Sequence, residues 1–455
     1  MRSTLKVLLS ALVGFACSYL PAQIADPDLL AEISRIKVVD NHAHPLVVRP
    51  EGVRDTEWES LAFHGAGSSG TAVAPEEELV PFRMRPGSPD LARAWRALYG
   101  FAPARTTKES IGELVQTKER IQRERGDDYP AWVLDQLGVE VMLSNRMSMG
   151  KGLGAPRFRW VSYVDALLFP LDNAELKLGN PDLQRFYTSL EVVRQRFLAE
   201  QKLKALPPTL DGYVSQLVAP LLARQRAEGA VAVKFVAGYV RTLDFADVPE
   251  AEARRIYARY VRGGVPPAGE YKKLQDFLFR RVAREAGRAG LAVHIHTGFG
   301  IGSYYNVSGS NPLLLESAFD DPALRQTTFV IIHGGWPFAR QTAALLLKPN
   351  VYADFSAIAF LIYPRELSEV IRSWMEIAPQ KVMFGSDGFD LGYKFLSWEE
   401  FCWIGADSSR QALALALTGM MNDGEISRAE ASRLANMVLH DNAVQLYHLG
   451  PQSAH

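Results

Sequence analysis

Residues Lys37–Pro45 read KVVDNHAHP, a short apolar run that passes directly into two histidines two positions apart, His42 and His44. The apolar start is typical of a buried strand. Residues i and i+2 of a strand project to the same face, so both imidazoles, with Asp40, can point the same way. Neutral imidazoles are common ligands of divalent metals, although two hydrogen-bonded strand histidines would give the same pattern. The stretch therefore predicts a first strand that ends in half of a metal site.

Seven further apolar runs, rich in Val and Ile, alternate with stretches of helical periodicity. Such runs are expected of parallel strands covered on both faces, and eight of them favour a (β/α)8 barrel, a TIM-like α/β fold, over a doubly wound sheet. The predicted strands are Lys37–His42, Val139–Ser144, Trp160–Asp165, Val231–Phe235, Leu291–His296, Thr328–His333, Val351–Phe355 and Lys381–Gly385. The helical patterns cover Asp211–Glu228, Glu250–Arg262, Tyr271–Gly287, Ala339–Leu347 and Leu367–Ile377.

The chain has 455 residues, more than the ~250 of a bare barrel, so insertions are expected. We predict one barrel domain over residues 24–455, with helical insertions at about 45–137 and 237–290. Both insertions follow predicted strands. They should therefore lie at the C-terminal face of the barrel and cap it.

Three more side chains of metal-ligand type stand at the ends of predicted strands. His296 ends the fifth strand, His333 ends the sixth, and Asp387 follows the eighth. Active sites of such barrels are built from the C-terminal ends of the strands. The chain has 9 histidines, and several of them fall at these positions together with the aspartate. The pattern strengthens the prediction of a metal centre at the barrel mouth.

With these motifs in order, the chain resembles the amidohydrolase superfamily, in particular the amidohydrolase-related branch that also contains metal-dependent decarboxylases. The resemblance rests on Asp40–Pro45 (DNHAHP), Ile295–Gly300 (IHTGFG) and the closing segment Asp441–Tyr447. These motifs are most similar to the amidohydrolase-like domain that is fused to glutamine synthetase in some plants and fungi. The resemblance spans about residues 37–449 and is weak evidence for any particular substrate.

The resemblance implies a role for each of these side chains. His42 and His44 would bind a divalent metal ion, and Asp387 would bind it too and take a proton from the attacking water. In members with one ion, His296 is a ligand, while His333 acts as acid and base or polarises the substrate. In members with two ions, both of these histidines bind the second ion. One or two ions are therefore expected.

A carboxylated lysine of the fourth strand bridges the ions in the two-ion members, and Lys234 stands at that position. Its apolar neighbours on the strand would desolvate the amine, which lowers its pKa and suits carbamate formation. The alternatives are a lysine neutralised by a carboxylate or one that binds an anionic substrate. His294 shares a strand face with His296, and we expect it to support the site from outside the ligand set.

A second group of side chains are candidates for substrate binding. Arg146 follows the second strand and Arg241 follows the fourth, where each could hold a carboxylate through two hydrogen bonds. Trp336 could form a wall of the pocket, and Tyr239 or Tyr304 could donate to a developing oxyanion. For each of them, packing at the barrel rim or a surface ion pair is an open alternative.

The predicted function is metal-dependent hydrolysis. A divalent metal activates water at neutral pH, Asp387 accepts the proton as the water attacks an amide, ester or lactone carbonyl, and His333 or a second ion polarises the carbonyl oxygen. The main alternative is non-oxidative decarboxylation of a small carboxylic acid, in which an arginine holds the substrate. A protein that binds a small molecule without catalysis is a third class. The absence of one of the expected metal-binding side chains would have indicated it.

The composition favours a small-molecule substrate. Lys plus Arg is 50 and Asp plus Glu is 51, which gives a formal net charge of −1. Nucleic acids and anionic membranes select for clustered positive charge, so we expect neither as a partner. The cysteines are Cys17 and Cys402, too few for a cysteine zinc site or a disulfide framework. Zinc is the default metal for imidazole with carboxylate, and manganese, iron or cobalt would fit the same ligands.

Residues 1–23 have the pattern of a secretory signal peptide. Arg2 and Lys6 precede the apolar run Val7–Ala16, which is too short to span a bilayer. We therefore expect an exported protein, periplasmic or secreted, with no membrane span. A lipid-modified N-terminus at Cys17 is a less favoured option, and a homo-oligomer is left open.

Overall fold

Eight parallel strands pair with one another in chain order. They are β1 Val38–Ala43, β2 Val139–Arg146, β3 Phe158–Tyr163, β4 Ala230–Phe235, β5 Ala292–His296, β6 Phe329–Ile332, β7 Val351–Asp354 and β8 Val382–Met383. Backbone hydrogen bonds join the residues that follow the last strand to the end of the first: Asn41 N donates to Phe384 O (3.0 Å), Asp387 N donates to His42 O (2.6 Å), and His44 N donates to Gly388 O (2.7 Å). The sheet is therefore a nearly closed barrel with flanking helices, and the predicted fold class is confirmed.

The structure is a computed structural model that describes residues 24–50, 53–61, 80–302 and 304–450. The predicted signal peptide, residues 1–23 with Cys17, lies outside the described residues. Across these described ranges, no helix is both long and apolar enough to cross a membrane.

Helices connect the strands, and each predicted helical stretch contains helix. The bounds are α1 Pro27–Ile33, α2 Pro89–Tyr99, α3 Lys108–Arg125, α4 Tyr129–Leu137, α5 Ala174–Gly179, α6 Gln184–Glu200, α7 Leu210–Tyr213, α8 Ala219–Ala227, α9 Glu250–Tyr260, α10 Ala268–Arg288, α11 Glu316–Phe319, α12 Ala339–Leu345, α13 Ile358–Leu361, α14 Pro364–Met375, α15 Trp398–Asn422, α16 Arg428–Asn436 and α17 Asn442–Tyr447. A π-helical turn, Val214–Val218, joins α7 to α8.

Three helical segments follow strands of the barrel. The segment after β1 contains α2, α3 and α4, and the segment after β4 contains α9 and α10. These two cover the positions of the predicted insertions, and the division of the chain into domains stays a prediction. A third segment, with α5 to α8, follows β3 and was not set apart by the sequence patterns.

The barrel interior is filled from its N-terminal end by apolar side chains. Alternate strand residues form a buried cluster with Ala443 and Tyr447 of α17; they include Val39, Val141, Leu143, Val161, Val231 and Val330. Apolar packing of this kind leaves the C-terminal end of the barrel for polar side chains. The candidate ligands lie at that end.

Candidate metal centre

One pocket at the C-terminal ends of the strands contains all six predicted metal-ligand residues: His42, His44, Lys234, His296, His333 and Asp387. Its other lining residues are Trp58, Tyr163, Val236, Tyr239, Phe299, Ile301 and Phe389. The ligand atoms of His42, His333 and Asp387 lie within 4.8 Å of one another, and all three residues are buried. The cavity volume is about 50 Å³, small beside the ~300–1,000 Å³ of most ligand pockets.

Asp387 is the residue on which the imidazoles converge. Its Oδ1 lies 3.1 Å from Nε2 of His42 and 3.2 Å from Nε2 of His44, and its Oδ2 lies 3.7 Å from Nδ1 of His333. Asp387 and His333 both have a positive φ, 56° and 65°, which is uncommon for residues other than glycine. Such backbone strain persists only where the surrounding structure fixes it, and it is concentrated at functional sites.

Burial keeps the imidazoles in the neutral form that binds metals. Desolvation, and then the positive charge of Lys234 and neighbouring imidazoles, hold the pKa of His42, His296 and His333 well below the usual range. Desolvation also raises the pKa of Asp387, while the adjacent imidazole and lysine act in the opposite direction. Metal binding needs unprotonated imidazole, so these side chains are in the required state.

His296 and His333 face each other through their ring nitrogens. Nε2 of His296 lies 2.5 Å from the carbonyl oxygen of Phe299, so it must carry the proton, and Nδ1 is bare. That bare nitrogen lies 3.0 Å from Nε2 of His333. The state of this contact therefore depends on which nitrogen of His333 is protonated.

The end of β7 determines the protonation of His333. Asp354 accepts hydrogen bonds from the backbone nitrogens of His333 (3.0 Å) and Ser356 (3.2 Å) and from the Ser356 hydroxyl (2.6 Å). Because Ser356 has one proton and gives it to the carboxylate, its oxygen accepts from Nδ1–H of His333 at 3.0 Å. Nε2 of His333 is then bare and faces the bare nitrogen of His296, a contact that a bound cation would relieve.

Asp354 and Ser356 were not identified from the sequence. Asp354 is itself a carboxylate at the end of a barrel strand, which is the signal that could have found it. Its other oxygen accepts from Asn41 Nδ2 (2.6 Å), whose Oδ1 accepts from the Tyr447 hydroxyl (2.5 Å). His294 Nε2 contacts the same hydroxyl at 2.8 Å, so the geometry of His294 agrees with a supporting role.

His44 contacts a segment that crosses the pocket, residues 53–61, which we call the strap. Nδ1 of His44 lies 2.9 Å from the Tyr163 hydroxyl, which donates to the backbone oxygen of Trp58 in the strap (3.0 Å). Nδ1 of His44 also lies 3.3 Å from that backbone oxygen, and its Nε2 faces Oδ1 of Asp387 at 3.2 Å. A cation bound here could take Nε2 and the carboxylate as ligands.

The strap is fixed to the barrel by ion pairs. Arg146 of β2 binds Asp55 through two hydrogen bonds of 2.8 and 2.9 Å, and both side chains are buried. Glu57 accepts from Arg196 of α6 (2.9 Å) and from the Ser148 hydroxyl (2.5 Å). The geometry does not support the predicted substrate-binding role of Arg146, because its guanidinium is already used to hold the strap.

Arg241 and Trp336 also lie apart from the pocket. Arg241 pairs with Asp276 of α10 at 2.5 Å and donates to Gln275 of the same helix at 3.0 Å. It therefore connects the turn that follows β4 to α10. Trp336 is half-buried and does not line the pocket. Tyr239 does line it, with its ring 4.5 Å from that of His296. Of these sequence-derived candidates, the structure brings only the tyrosine to the ligands.

Lys234 lies at the floor of the pocket. Its side chain is buried, and Nζ is 3.3 Å from Nε2 of His42. Burial lowers the pKa of the Lys234 amine to about 8, while the carboxylates of Asp387, Asp354 and Asp165 oppose that change. The Lys234 amine therefore loses its proton more readily than an ordinary lysine amine.

The arrangement fits a divalent cation. Ligand atoms at ~2.0–2.1 Å from a tetrahedral ion stand about 3.3 Å apart. The three closest pairs of donors, His42 with Asp387, His44 with Asp387 and His296 with His333, are separated by 3.1, 3.2 and 3.0 Å. Neutral imidazole with carboxylate is a donor set suited to zinc and to other first-row metals.

Comparison with known proteins agrees with this site. A family model described as amidohydrolase matches residues 218–449, just over half of the chain. The chain belongs to the amidohydrolase family. The match to the amidohydrolases includes Lys234, His296, His333 and Asp387, whereas His42 and His44 precede it.

This amidohydrolase is 24% identical over 234 residues to protein fluG of Emericella nidulans, an alignment that covers 49% of this chain and 26% of fluG. The chain thus spans about a quarter of that relative's length. A proposed metal-dependent hydrolase from Lactobacillus casei has 15% identity and a TM-score of 0.55, with 95% of this chain and 100% of the other covered. Uronate isomerase from Thermotoga maritima has 13% identity and a TM-score of 0.62, with 92% and 96% covered. At these identities, the solved structures show a shared fold.

Proposed function

We propose that this amidohydrolase is a metal-dependent hydrolase that uses activated water to attack the carbonyl carbon of a small amide, ester or lactone. One observation carries the proposal: the bare nitrogens of His296 and His333 face each other at 3.0 Å within the same pocket as Asp387. Burial lowers the pKa of both imidazoles, so a shared proton is disfavoured and a metal cation is the better partner.

A divalent cation held by these residues would supply Lewis acidity, which polarises a carbonyl oxygen and makes water a better nucleophile at neutral pH. Asp387 orients the attacking water and accepts its proton, since burial raises the pKa of its carboxyl and makes the carboxylate a stronger base. The same carboxyl then donates that proton to the leaving group. Trp58, Phe299 and Phe389 exclude bulk water while this happens.

We further propose two ions, with zinc as the default metal. His42, His44 and Asp387 form one group of donors, and His296 and His333 form the second. The buried amine of Lys234, with its pKa lowered to about 8, is suited to react with carbon dioxide. A carboxylated Lys234 would then bridge the ions.

No observation on the described residues favours decarboxylation or isomerisation. In the decarboxylation considered above an arginine would help to hold the carboxylate, and Arg146 and Arg241 are both paired with aspartates. The Thermotoga maritima structure is that of a uronate isomerase, and a uronate also carries a carboxylate. For isomerisation of such a substrate, too, Arg146 and Arg241 are already paired with aspartates.

The test is turnover by zinc-supplied protein on neutral esters, anilides and lactones, compared with Asp387→Asn. We expect the variant to lose roughly 10²–10⁴-fold in kcat/KM, the usual contribution of a positioned acid–base group, while its circular dichroism spectrum stays that of a folded barrel. Asp320 is an exposed aspartate paired with Lys348. Asp320→Asn is therefore the matched control and should keep full activity. Undiminished turnover in Asp387→Asn would remove this residue as the base, and release of carbon dioxide from carboxylic acids without hydrolysis would favour decarboxylation.

We also propose export to the periplasm or medium, which is supported by the sequence of residues 1–23. Fusion of these residues to a reporter that is active only outside the cytosol tests this part of the proposal.

A further inference from the structure

The pocket is divided into a polar floor and an apolar wall. The six candidate ligands form the floor. The wall consists of the remaining lining residues: Trp58, Tyr163, Val236, Tyr239, Phe299, Ile301 and Phe389. Five of these seven are aromatic, and they surround the place where the parts of a substrate beyond the reacting carbonyl must lie.

The wall carries few polar side-chain atoms, and among its described residues the buried Nε1 of Trp58 is the one without a hydrogen-bond partner. The hydroxyl of Tyr163 donates to the Trp58 backbone oxygen and contacts His44. The ring of Tyr239 packs against His296 and lies 4.9 Å from the ring of Tyr305. The wall therefore presents ring faces and edges.

Among the described residues that line the pocket, Lys234 is the one lysine or arginine. It lies on the floor beside His42 and not in the wall. The nearby guanidinium of Arg146 is buried against Asp55. A charged group on a substrate would therefore lose its water against aromatic rings with no counter-charge, which is costly.

We propose that the substrate is an uncharged molecule with a compact aromatic or branched apolar group next to its scissile carbonyl. This inference rests on the proposed hydrolase function and names the substrate class of the same site. It excludes substrates that carry a second carboxylate away from the reacting carbon. Burial of an aryl group against this wall supplies affinity, and the floor supplies the chemistry.

Binding of hydroxamic acids to zinc-loaded protein tests the inference independently of turnover, because a hydroxamate binds a metal centre without being hydrolysed. The probes are 4-nitrobenzohydroxamic acid and 4-carboxybenzohydroxamic acid, which match in size and differ in charge, and benzohydroxamic and acetohydroxamic acids, which differ in the apolar group. Affinities are measured by isothermal titration calorimetry. We expect the nitro compound to bind at least tenfold more tightly than the carboxy compound, and the benzo compound more tightly than the aceto compound.

Phe389→Lys places a cation in the wall and should reverse the preference between the nitro and carboxy compounds, whereas Phe389→Leu should preserve it. Equal or tighter wild-type binding of the carboxy compound, or no binding of any aryl hydroxamate, would overturn the inference. If the expected order of affinities is found but no ester, amide or lactone is hydrolysed, the substrate class stands and the hydrolytic reaction is what fails.

Discussion

Ser356 determines which face of the His333 imidazole is available to a ligand. It gives its one proton to Asp354 and accepts from Nδ1–H of His333, so the opposite nitrogen is left bare. Residues that orient a metal-binding histidine in this way usually matter almost as much as the ligands themselves. Neither Ser356 nor Asp354 is proposed to touch the metal.

Ser356→Ala should therefore weaken metal binding without removing a ligand. We expect a loss of about 10–100-fold in affinity at the site formed by His296 and His333, because the His333 ring loses its fixed tautomer. Equilibrium dialysis with zinc measures this loss directly. Ser368→Ala removes a hydroxyl that binds the backbone of Arg365 and serves as the matched control. Equal zinc affinity in both variants would contradict the orienting role.

The sequence predicted which residues would meet at the site better than it predicted their hydrogen bonds. His296, His333 and Asp387 were found because the C-terminal ends of parallel strands converge, which depends on topology alone. The pairing of Arg146 with Asp55 could not be foreseen, since these residues are 91 positions apart in the chain. A buried arginine and a substrate-binding arginine look alike in a sequence.

At the scale of elements, the strap brings Trp58, from the described part of the insertion after β1, to the site. The buried pair of Asp55 and Arg146 holds one end, and Glu57 with Arg196 holds the middle. A buried ion pair that loses one partner leaves an uncompensated charge, which costs far more than the loss of a surface pair. The strap should thus be rigid for as long as both partners are present.

Asp55→Asn should lower the free energy of unfolding by about 3–5 kcal/mol, because Arg146 is left charged and buried. Asp135→Asn breaks the pair of Arg157 and Asp135, which has a similar length of 2.9 Å. Both of its side chains are more exposed to solvent than those of the pair that holds the strap. This control should lose at most ~1 kcal/mol. Urea unfolding of both variants gives the comparison, and similar losses would show that the strap pair is not a strong constraint.

The strands were easier to predict than the segments between them. All eight coincide with predicted apolar runs, because strands buried on both faces need such runs. The helices α5 and α6 were not predicted: α5 has six residues and buries none of them, whereas α6 buries Phe186, Leu190, Val193 and Phe197 at helical spacing, a signal that could have found it. Periodicity indicates an element only when one continuous face is buried.

For the molecule as a whole, the candidate ligands come from strands at both ends of the chain, so a bound metal should stabilise the entire barrel. Protein purified without chelator should contain close to two metal ions per chain, and a chelator should lower its Tm by several degrees, because any ligand that binds the folded state adds its binding free energy to stability. Emission spectroscopy and calorimetry provide the two measurements.

The double variant His42→Ala with His44→Ala is the control for this prediction. It should contain less metal, and chelator should change its Tm much less. A metal content near one ion per chain would instead free His333 as an acid and base and would remove the bridging role of Lys234. An unchanged Tm and metal content in the double variant would contradict the assignment of these two histidines.

The anchored strap has a consequence for the timing of catalysis. Because one wall of a cavity of about 50 Å³ is tied down by Asp55 and Glu57, we expect the passage for molecules to open at the loops with Phe299 and Phe389, which follow β5 and β8. Loop movements of this kind take microseconds to milliseconds. We therefore expect release of the product past these two phenylalanines, and not cleavage of the bond, to limit kcat. The kcat should then fall as solvent viscosity rises.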